Sequence, residues 1–265
     1  MFELSTYLAA AAVMAGAALL CWVVSLAKRD VSVVDVLWPL FFVIAALSYA
    51  TTASGTGPRL FPVLLLVSVW GMRLAAHIAR RSRGQPEDRR YQAIRARNQP
   101  HFALKSLYLI FLLQAGVAWI VSAPLLGAIT SPIPLGWLDL LGFTLCLAGM
   151  AIEAVADAQL RRFKVDPANR GKVLNTGLWR YTRHPNYFGD FCVWWGFYLV
   201  AVGAGAWWSL PGPLLMTLFL LRVSGVALLE SDIAQRRPAY ARYVRETNAF
   251  FPGPRRPVDP MEVPR

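Results

Sequence analysis

Long apolar runs dominate this chain of 265 residues and restrict it to folds that a lipid bilayer can hold. Hydrophobic residues make up 56% of the sequence and charged residues only 16%. A helix that crosses a bilayer needs roughly 20 consecutive apolar residues. Seven stretches qualify: residues 4–27, 33–53, 60–79, 104–129, 137–156, 187–208 and 214–229. We therefore predict an all-α integral membrane protein with seven transmembrane helices.

The cations are distributed unevenly over the connections between these stretches. Basic residues crowd the segments that follow the first, third, fifth and seventh stretches, whereas the opposite connections contain only Arg59. Because loops rich in Lys and Arg stay in the cytoplasm, we predict an external N-terminus and a cytoplasmic C-terminus, in the cell inner membrane. Topology then accounts for most of the net charge of +12, and we expect no nucleic-acid partner.

The same pattern predicts how the chain is organised. Residues 1–265 form a single membrane domain, with cytoplasmic loops at 80–104 and 157–186. A cytoplasmic C-terminal segment covers 231–251, and the proline-rich residues 252–265 form a flexible tail. We expect a monomer whose partners are membrane lipids and a lipophilic small molecule.

Ionisable side chains within apolar stretches are costly and mark functional sites by default. The predicted orientation gathers most of them toward the cytoplasmic half of the bundle: Asp35, Arg73, His77, Glu153, Asp157, Asp190, Arg222 and Glu230. Asp139 falls at the outer edge, where we expect water to reach it. This distribution predicts a polar cavity open to the cytoplasm, although groups at helix ends also extend toward the interface without any function. The three cysteines lack metal-ligand spacing, so we expect no metal site.

The cytoplasmic mouth of this cavity suits an anionic ligand. Glu153, Asp157, Arg161 and Lys164 recur at helical spacing, so carboxylates in the bundle lead to cations at its surface. Arginine binds phosphate through its planar fork, and Asn186 stands at a helix start, whose free N–H groups favour anions. A dinucleotide phosphate matches these charges, although the positive-inside bias would supply cations here in any case.

The segment after the seventh stretch, residues 235–251, places Tyr240, Tyr243 and Thr247 on one helical face. Such a face is typical of an amphipathic helix at the membrane interface. The same face is also suited to cover a bound cofactor, and the sequence leaves both interpretations open.

Four motifs stand out: GLWRYTRHPNYFGD at 177–190, WGMRLAAHIARR at 70–81, EDRRY at 87–91 and LLESDIAQRRPAYARYVRETNAFFP at 228–252. Together they resemble the bacterial branch of the steroid 5α-reductase family. Its superfamily includes sterol reductases and isoprenylcysteine carboxyl methyltransferases. The resemblance implies a seven-helix membrane enzyme that takes NADPH from the cytosol and reduces a C=C bond conjugated to a ketone.

The resemblance also implies roles for individual positions. The cofactor-binding residues would be Asp157, Arg161, Lys164, Asn175, Tyr181, Arg183, His184, Asn186, Tyr187, Asp190, Trp194, Arg222, Glu230, Tyr240 and Tyr243. On the catalytic side, Trp70 takes the position of a tyrosine of the animal enzymes, with Trp38 and Arg73 at the substrate. A desolvated carboxyl is suited to protonate the carbonyl oxygen; Asp35 is the first candidate and Glu153 the second.

These features favour an NADPH-dependent reductase of a lipophilic enone, similar to a 3-oxo-4-ene steroid. One alternative is an S-adenosylmethionine-dependent membrane methyltransferase of the isoprenylcysteine carboxyl methyltransferase type. Another is a lipid-binding protein without catalytic activity. Basic groups suited to phosphate favour the reductase, because S-adenosylmethionine is net cationic and gains little from them.

Overall fold

In the computed structural model of the protein, residues 2–223, 226 and 238–256 are described, and every regular element among them is helical. The α-helices are α1 (Leu4–Lys28), α2 (Val33–Thr52), α3 (Leu60–Ser82), α4 (Arg89–Arg97), α5 (Phe102–Ser106), α6 (Leu113–Val121), α7 (Ala123–Thr130), α8 (Trp137–Val165), α9 (Pro185–Gly203), α10 (Pro211–Leu218) and α11 (Pro238–Glu246). Short 3₁₀ turns lie at Pro167–Asn169, Gly177–Arg180 and Trp207–Ser209.

Five helical segments are long and apolar enough to cross a membrane: Leu4–Lys28, Val33–Thr52, Leu60–Ser82, Phe102–Val121 and Trp137–Val165. They lie at the first five predicted stretches, and the protein is an all-helical, multi-pass membrane protein. Helix α9 covers most of the sixth stretch. Of the seventh, α10 and a π-helical turn account for the residues up to 223, and most of the remainder lies outside the described residues. The count of seven spans and the orientation stay predictions.

The expectation of one continuous helix over 104–129 is wrong. The helical segment passes through a π-helical turn at Leu107–Leu112 and ends at Val121. Pro124, in the first turn of α7, has no backbone N–H to continue the helical hydrogen bonds. The Ser122 hydroxyl donates to the Trp119 carbonyl at 2.7 Å and so occupies an acceptor at the end of α6. A new helix therefore starts after Ser122.

The described residues form two compact units, and the first comprises residues up to Leu140 together with Phe197–Gly212. In this unit α2 contacts both α1 and α3. A Cβ atom on Gly71 of α3 would lie 2.9 Å from the Pro39 carbonyl oxygen of α2, so only glycine permits this approach. The close contact buries the neighbouring Trp70 completely.

A buried ion pair joins Arg59, just before α3, to Asp139 in the first turn of α8. The Arg59 guanidinium donates to both carboxylate oxygens of Asp139, at 2.6 and 2.7 Å. It also donates to the carbonyls of Ile133, at 2.6 Å, and Gly203, at 3.1 Å. Arg59 is 0% exposed and Asp139 2% exposed. The expectation that water reaches Asp139 is therefore wrong, because a neighbouring arginine and the chain around it replace water.

The second unit comprises Leu141–Gly196 and the described residues from Pro213 onward. Helices α8 and α9 meet there along a seam of glycines. A Cβ atom on Gly149 would lie 2.5 Å from the Gly189 carbonyl oxygen, and one on Gly196 would lie 2.6 Å from Cys146 Sγ. Small residues let membrane helices approach closely. The close packing of α8 and α9 also brings together polar residues of the two helices, such as Asp157 and Asn186.

Candidate functional site

Three buried carboxylates and one amide lie where α8 and α9 pack together in the second unit. Glu153, Asp157 and Asp190 are 3%, 6% and 8% exposed. The Asn186 side-chain nitrogen donates to Asp157 Oδ1 at 3.3 Å and so links the two helices. Since buried carboxylates are costly and cluster at functional sites, this group is the candidate site. It unites four residues that the sequence singled out.

Gly189 allows α9 to approach α8 closely at Glu153. A Cβ atom at this position would lie 2.7 Å from the Glu153 backbone nitrogen and 2.9 Å from its Cβ atom. Any larger residue would push α9 away from α8. The glycine of the RHPNYFG segment therefore has a packing role, and the polar residues on either side of it line the same seam.

The start of α9 is fixed by its own sequence. Pro185 occupies the first helical position, where its missing N–H costs nothing. The His184 backbone N–H donates to the Thr182 hydroxyl at 3.3 Å, and the His184 ring stacks on Tyr187 with a centroid distance of 5.6 Å. Asn186 thus lies in the first turn, near the positive end of the helix dipole, which favours anionic groups.

The C-terminal part of α8 is basic and open to solvent. Arg161 and Lys164 are exposed, whereas Glu153 and Asp157 on the same helical face are buried. One face of α8 thus changes from buried acid to exposed base over three turns. Exposed Arg180 adds a further cation in the 3₁₀ turn that precedes α9.

Arg183 faces the C-terminal segment. Its Nη1 atom donates to the carbonyl of Val244 at 2.9 Å and to that of Thr247. Its backbone N–H donates to the Asn248 carbonyl at 2.9 Å. Arg183 is buried, so these bonds fasten the segment after α11 to the loop before α9. A contact of Arg183 with a cofactor stays a prediction.

The two predicted tyrosines of the C-terminal segment lie on α11 and face inward. The Tyr243 hydroxyl donates to the Trp179 carbonyl at 2.5 Å. Tyr240 packs edge-on against Tyr243 at 5.4 Å, and both rings are buried. The predicted helix is present, and its aromatic face covers the loop before α9.

The remaining predicted cofactor residues are more scattered. Trp194 is fully buried in α9. Asn175, Tyr181 and Arg222 are exposed. Glu230 lies outside the described residues.

The predicted catalytic residue Asp35 lies in the first unit, in a second polar cluster. Its Oδ1 atom accepts the Tyr91 hydroxyl at 2.5 Å, and its Oδ2 atom accepts Arg90 Nη2 at 2.7 Å. The Gln114 side-chain nitrogen donates to the Tyr91 oxygen at 3.0 Å. Tyr91 is 6% exposed. The cluster joins the start of α2 to α4 and α6.

Burial is the main cause of the raised pKa of Tyr91, and the negative charge of Asp35 raises it further. For Arg90, burial alone would lower the pKa, but hydrogen bonds and charge from Asp88 and Asp35 raise it overall. Tyr91 is therefore held as a neutral hydroxyl and Arg90 as a cation.

The other acids of the EDRRY motif tie α4 to the loop before α2. Glu87 Oε1 accepts the Val31 N–H at 2.9 Å and Arg95 Nη2 at 2.7 Å. Burial alone would raise the pKa of Glu87, but the Arg95 and Val31 bonds outweigh it and lower the pKa from its ordinary 4.5. Burial alone would also raise the pKa of Asp88, but hydrogen bonds from Arg90 outweigh burial and lower the pKa from its ordinary 3.8.

The predicted substrate residues lie nearby on α2 and α3. Trp38 meets Phe42 edge-on at 5.4 Å, and Phe42 meets Trp70 at 5.7 Å, so the three rings form a continuous aromatic row. Arg73 is half-buried one turn beyond Trp70. Their contact with a substrate stays a prediction.

Sequence reasoning missed Tyr91, Arg90 and Gln114 as site residues. The EDRRY motif lies in a polar segment between two apolar stretches. Its sequence therefore does not indicate a contact with Asp35. Gln114 is an isolated amide within the fourth stretch, and polar residues in such stretches tend to find partners. That signal was available in the sequence.

Comparison with known proteins shows the family to which the chain belongs. A family model described as a protein of unknown function (DUF1295) matches residues 21–247. The chain belongs to this family. An uncharacterised protein of Schizosaccharomyces pombe is 27% identical to this DUF1295 protein over 266 residues, which cover 87% of the chain and 75% of the relative.

A shorter part of the DUF1295 protein is similar to a named enzyme. The 3-oxo-5-alpha-steroid 4-dehydrogenase 1 of Mus musculus is 37% identical over 73 residues, 28% of this chain and 26% of the enzyme. The Rattus norvegicus enzyme gives the same values. The chain thus matches about a quarter of the length of these two relatives. No solved structure matches the chain.

Proposed function

We propose that this protein is an NADPH-dependent membrane oxidoreductase that reduces the C=C bond of a lipophilic enone, such as a 3-oxo-4-ene steroid. Membership of the DUF1295 family and the local similarity to 3-oxo-5-alpha-steroid 4-dehydrogenase 1 support an oxidoreductase. The proposal keeps the predicted inner-membrane location and cytoplasmic C-terminus.

The observation that carries the proposal is the charge gradient along one face of α8. Buried Glu153 and Asp157 suit the ribose hydroxyls and carboxamide of a nicotinamide nucleotide, which donate hydrogen bonds. Exposed Arg161 and Lys164 suit its phosphates. Asn186 supplies both a donor and an acceptor beside Asp157. The residues present therefore fit NADPH.

NADPH, when bound, supplies a hydride from C4 of its nicotinamide ring. The buried carboxylates of the second unit then lie in a low-dielectric setting, where they favour the positive charge that the ring acquires. Asp190 and Asp157 take this electrostatic role, and Asn186 orients Asp157. Arg161 and Lys164 bind phosphate and set the preference for a phosphorylated carrier.

We assign the proton donor to Tyr91, with Asp35 as its partner. Reduction of an enone places negative charge on the carbonyl oxygen, and a positioned O–H group stabilises that charge. Both Asp35 oxygens act as acceptors, from Tyr91 and Arg90. The Tyr91 O–H would turn from Asp35 to the substrate oxygen, and the Arg90 cation would balance the phenolate left after proton transfer. Half-buried Trp38 supplies apolar surface for a planar lipophilic substrate, and buried Trp70 supports it through Phe42.

The experiment is NADPH oxidation by the purified protein with a panel of enones, including 4-en-3-one steroids. We expect consumption with at least one lipophilic enone and none with its saturated ketone. A panel that gives no NADPH consumption, while S-adenosylmethionine raises the unfolding temperature and NADPH does not, would contradict the proposal.

A further inference from the structure

A cavity of about 330 Å³ lies beside the C-terminal part of α8 in the second unit. At 3.6 residues per turn, its helical lining residues Gln159, Arg162 and Phe163 lie about 100° to 160° around α8 from Asp157 and Arg161. The cavity is therefore separate from the proposed cofactor site. Its other walls come from the loop after α8, which contributes Asn169, Leu174 and Thr176.

Hydrogen bonds hold the loop that forms this cavity. The Leu178 backbone N–H donates to Gln159 Oε1 at 3.1 Å, which ties the end of the loop to α8. At the other end, the Asn169 side chain donates to the Phe163 carbonyl at 3.2 Å. Gly177 adopts a φ of +60°, and a Cβ atom there would lie 2.5 Å from Gln159 Nε2. The loop is thus pinned to α8 at both ends, and the cavity is preformed.

Of the polar residues that line the cavity, Arg162 and Thr176 have side chains that can donate to a ligand. Arg162 is exposed and makes no hydrogen bond or ion pair with any residue that the structure describes. The Thr176 hydroxyl is likewise unbonded within the described part of the chain. Asp166 turns its oxygens to its own 3₁₀ turn, where they accept the Ala168 N–H at 2.9 Å and the Asn169 amide at 3.3 Å. The cavity lining therefore combines one cation (Arg162), one carboxylate whose oxygens are already bonded (Asp166), a hydroxyl (Thr176) and the apolar walls of Phe163 and Leu174.

The length of α8 places this cavity at the level of lipid headgroups. Its 29 residues span about 43 Å at 1.5 Å per residue, whereas the hydrocarbon core is about 30 Å thick. The last turns of α8 therefore emerge from the core. Below the cavity, on the same side of the helix, Leu141 and Val155 are 50% and 47% exposed. An acyl chain along these residues would end at Arg162.

From this arrangement we propose that the cavity binds the headgroup of an anionic phospholipid from the leaflet that meets the C-terminal end of α8. The phosphate would accept from Arg162 and Thr176, and the apolar walls would receive the start of the acyl chains. The proposal is independent of the reaction that the protein catalyses, because it uses a different face of α8.

The test is native mass spectrometry of the purified full-length protein with phosphatidylglycerol and phosphatidylcholine of identical acyl chains. We expect wild-type protein to retain more phosphatidylglycerol. A basic residue near an anionic headgroup contributes about 1 kcal/mol, or about fivefold, so Arg162→Gln should lower the preference about fivefold. Leu174→Trp, which fills the cavity without a change of charge, should also release the lipid.

Arg170→Gln is the matched control, since it removes the same charge from an exposed residue of the loop that follows α8, outside the cavity lining. We expect it to keep the wild-type preference. Equal losses in Arg162→Gln and Arg170→Gln would reduce the effect to general surface charge and overturn the proposal. Displacement of the lipid by inorganic phosphate or ADP at millimolar concentration would also overturn it, by assigning the cavity to a soluble ligand.

Discussion

The Tyr91 hydroxyl lies 2.5 Å from Asp35 Oδ1, while Arg90 Nη2 lies 2.7 Å from the other oxygen of the same carboxylate. Asp35 thus accepts on both oxygens, from a cation and from a hydroxyl. Burial and the Asp35 charge raise the pKa of Tyr91, so its hydroxyl keeps its proton at neutral pH. In the proposed reaction this hydroxyl donates to the carbonyl oxygen of the substrate.

The first prediction concerns Tyr91→Phe. A positioned general acid contributes about 10²- to 10⁴-fold to a rate, so we expect kcat for enone reduction to fall at least 100-fold with the dissociation constant of NADPH unchanged. Steady-state kinetics and NADPH titration measure the two quantities. Tyr108→Phe is the matched control, because Tyr108 is 57% exposed and makes none of these bonds. Equal rates in the two variants would count against the assigned role.

The second prediction concerns Asn186→Ala. The substitution removes a hydrogen bond to a carboxylate, which contributes about 1.5–3 kcal/mol, and leaves buried Asp157 less restrained. We expect NADPH to bind about tenfold more weakly, as measured by isothermal titration. Asn98→Ala is the control, since the Asn98 amide makes a comparable bond to the Ile94 carbonyl, at 2.8 Å in α4. Unaltered NADPH affinity in Asn186→Ala would exclude this amide from the cofactor site.

The third prediction concerns the buried Arg59–Asp139 pair. Removing one partner leaves an uncompensated buried charge and costs about 3–5 kcal/mol. We therefore expect Asp139→Leu to be strongly destabilised in a denaturant titration. The double variant Arg59→Met with Asp139→Leu should recover most of the loss, because it removes both charges. A double variant that is as unstable as the sum of the single variants would show that the two side chains do not interact.

The fourth prediction concerns acid pH. The folded pKa of Glu87 is lowered, so its contribution to stability is fully present above its unfolded pKa and is lost as pH falls through the folded value. We expect the unfolding temperature to drop below about pH 4.5, with a smaller drop in Glu87→Gln. The other carboxyls titrate in both proteins, so the difference between the two curves isolates Glu87. Parallel curves would mean that the Arg95 and Val31 bonds add nothing.

Much of the fold follows from the sequence because long apolar runs admit few structures in a membrane. The pattern located the first residues of the helices that begin at Leu4, Val33, Leu60 and Trp137, although the last of these runs nine residues further than predicted, to Val165. It failed after Val121, where apolar composition continues but Pro124 and the Ser122 hydroxyl redirect the chain. Hydropathy does not register a change of direction within an apolar run.

The candidate site was predictable to the extent that its residues share one element. Helical spacing relates four of them, so the sequence alone predicts that they share one face of α8: Glu153, Asp157, Arg161 and Lys164. The Asp35–Tyr91 bond could not be predicted in this way, since it joins residues 56 positions apart across a loop whose path no local pattern specifies. Asp139 was misplaced for the same reason: its partner Arg59 is 80 residues away.

The central claim is that hydride from NADPH reaches the carbon–carbon double bond of a lipophilic enone. The most direct measurement is mass spectrometry of the ketone formed when the purified protein is incubated with C4-deuterated NADPH and the enone panel. The account predicts one deuterium at the β-carbon of a saturated ketone, formed at least 100-fold more slowly in Tyr91→Phe and more slowly in Asn186→Ala at subsaturating NADPH. Enones that remain unreduced and free of deuterium throughout the panel, under conditions where NADPH is bound, would contradict it.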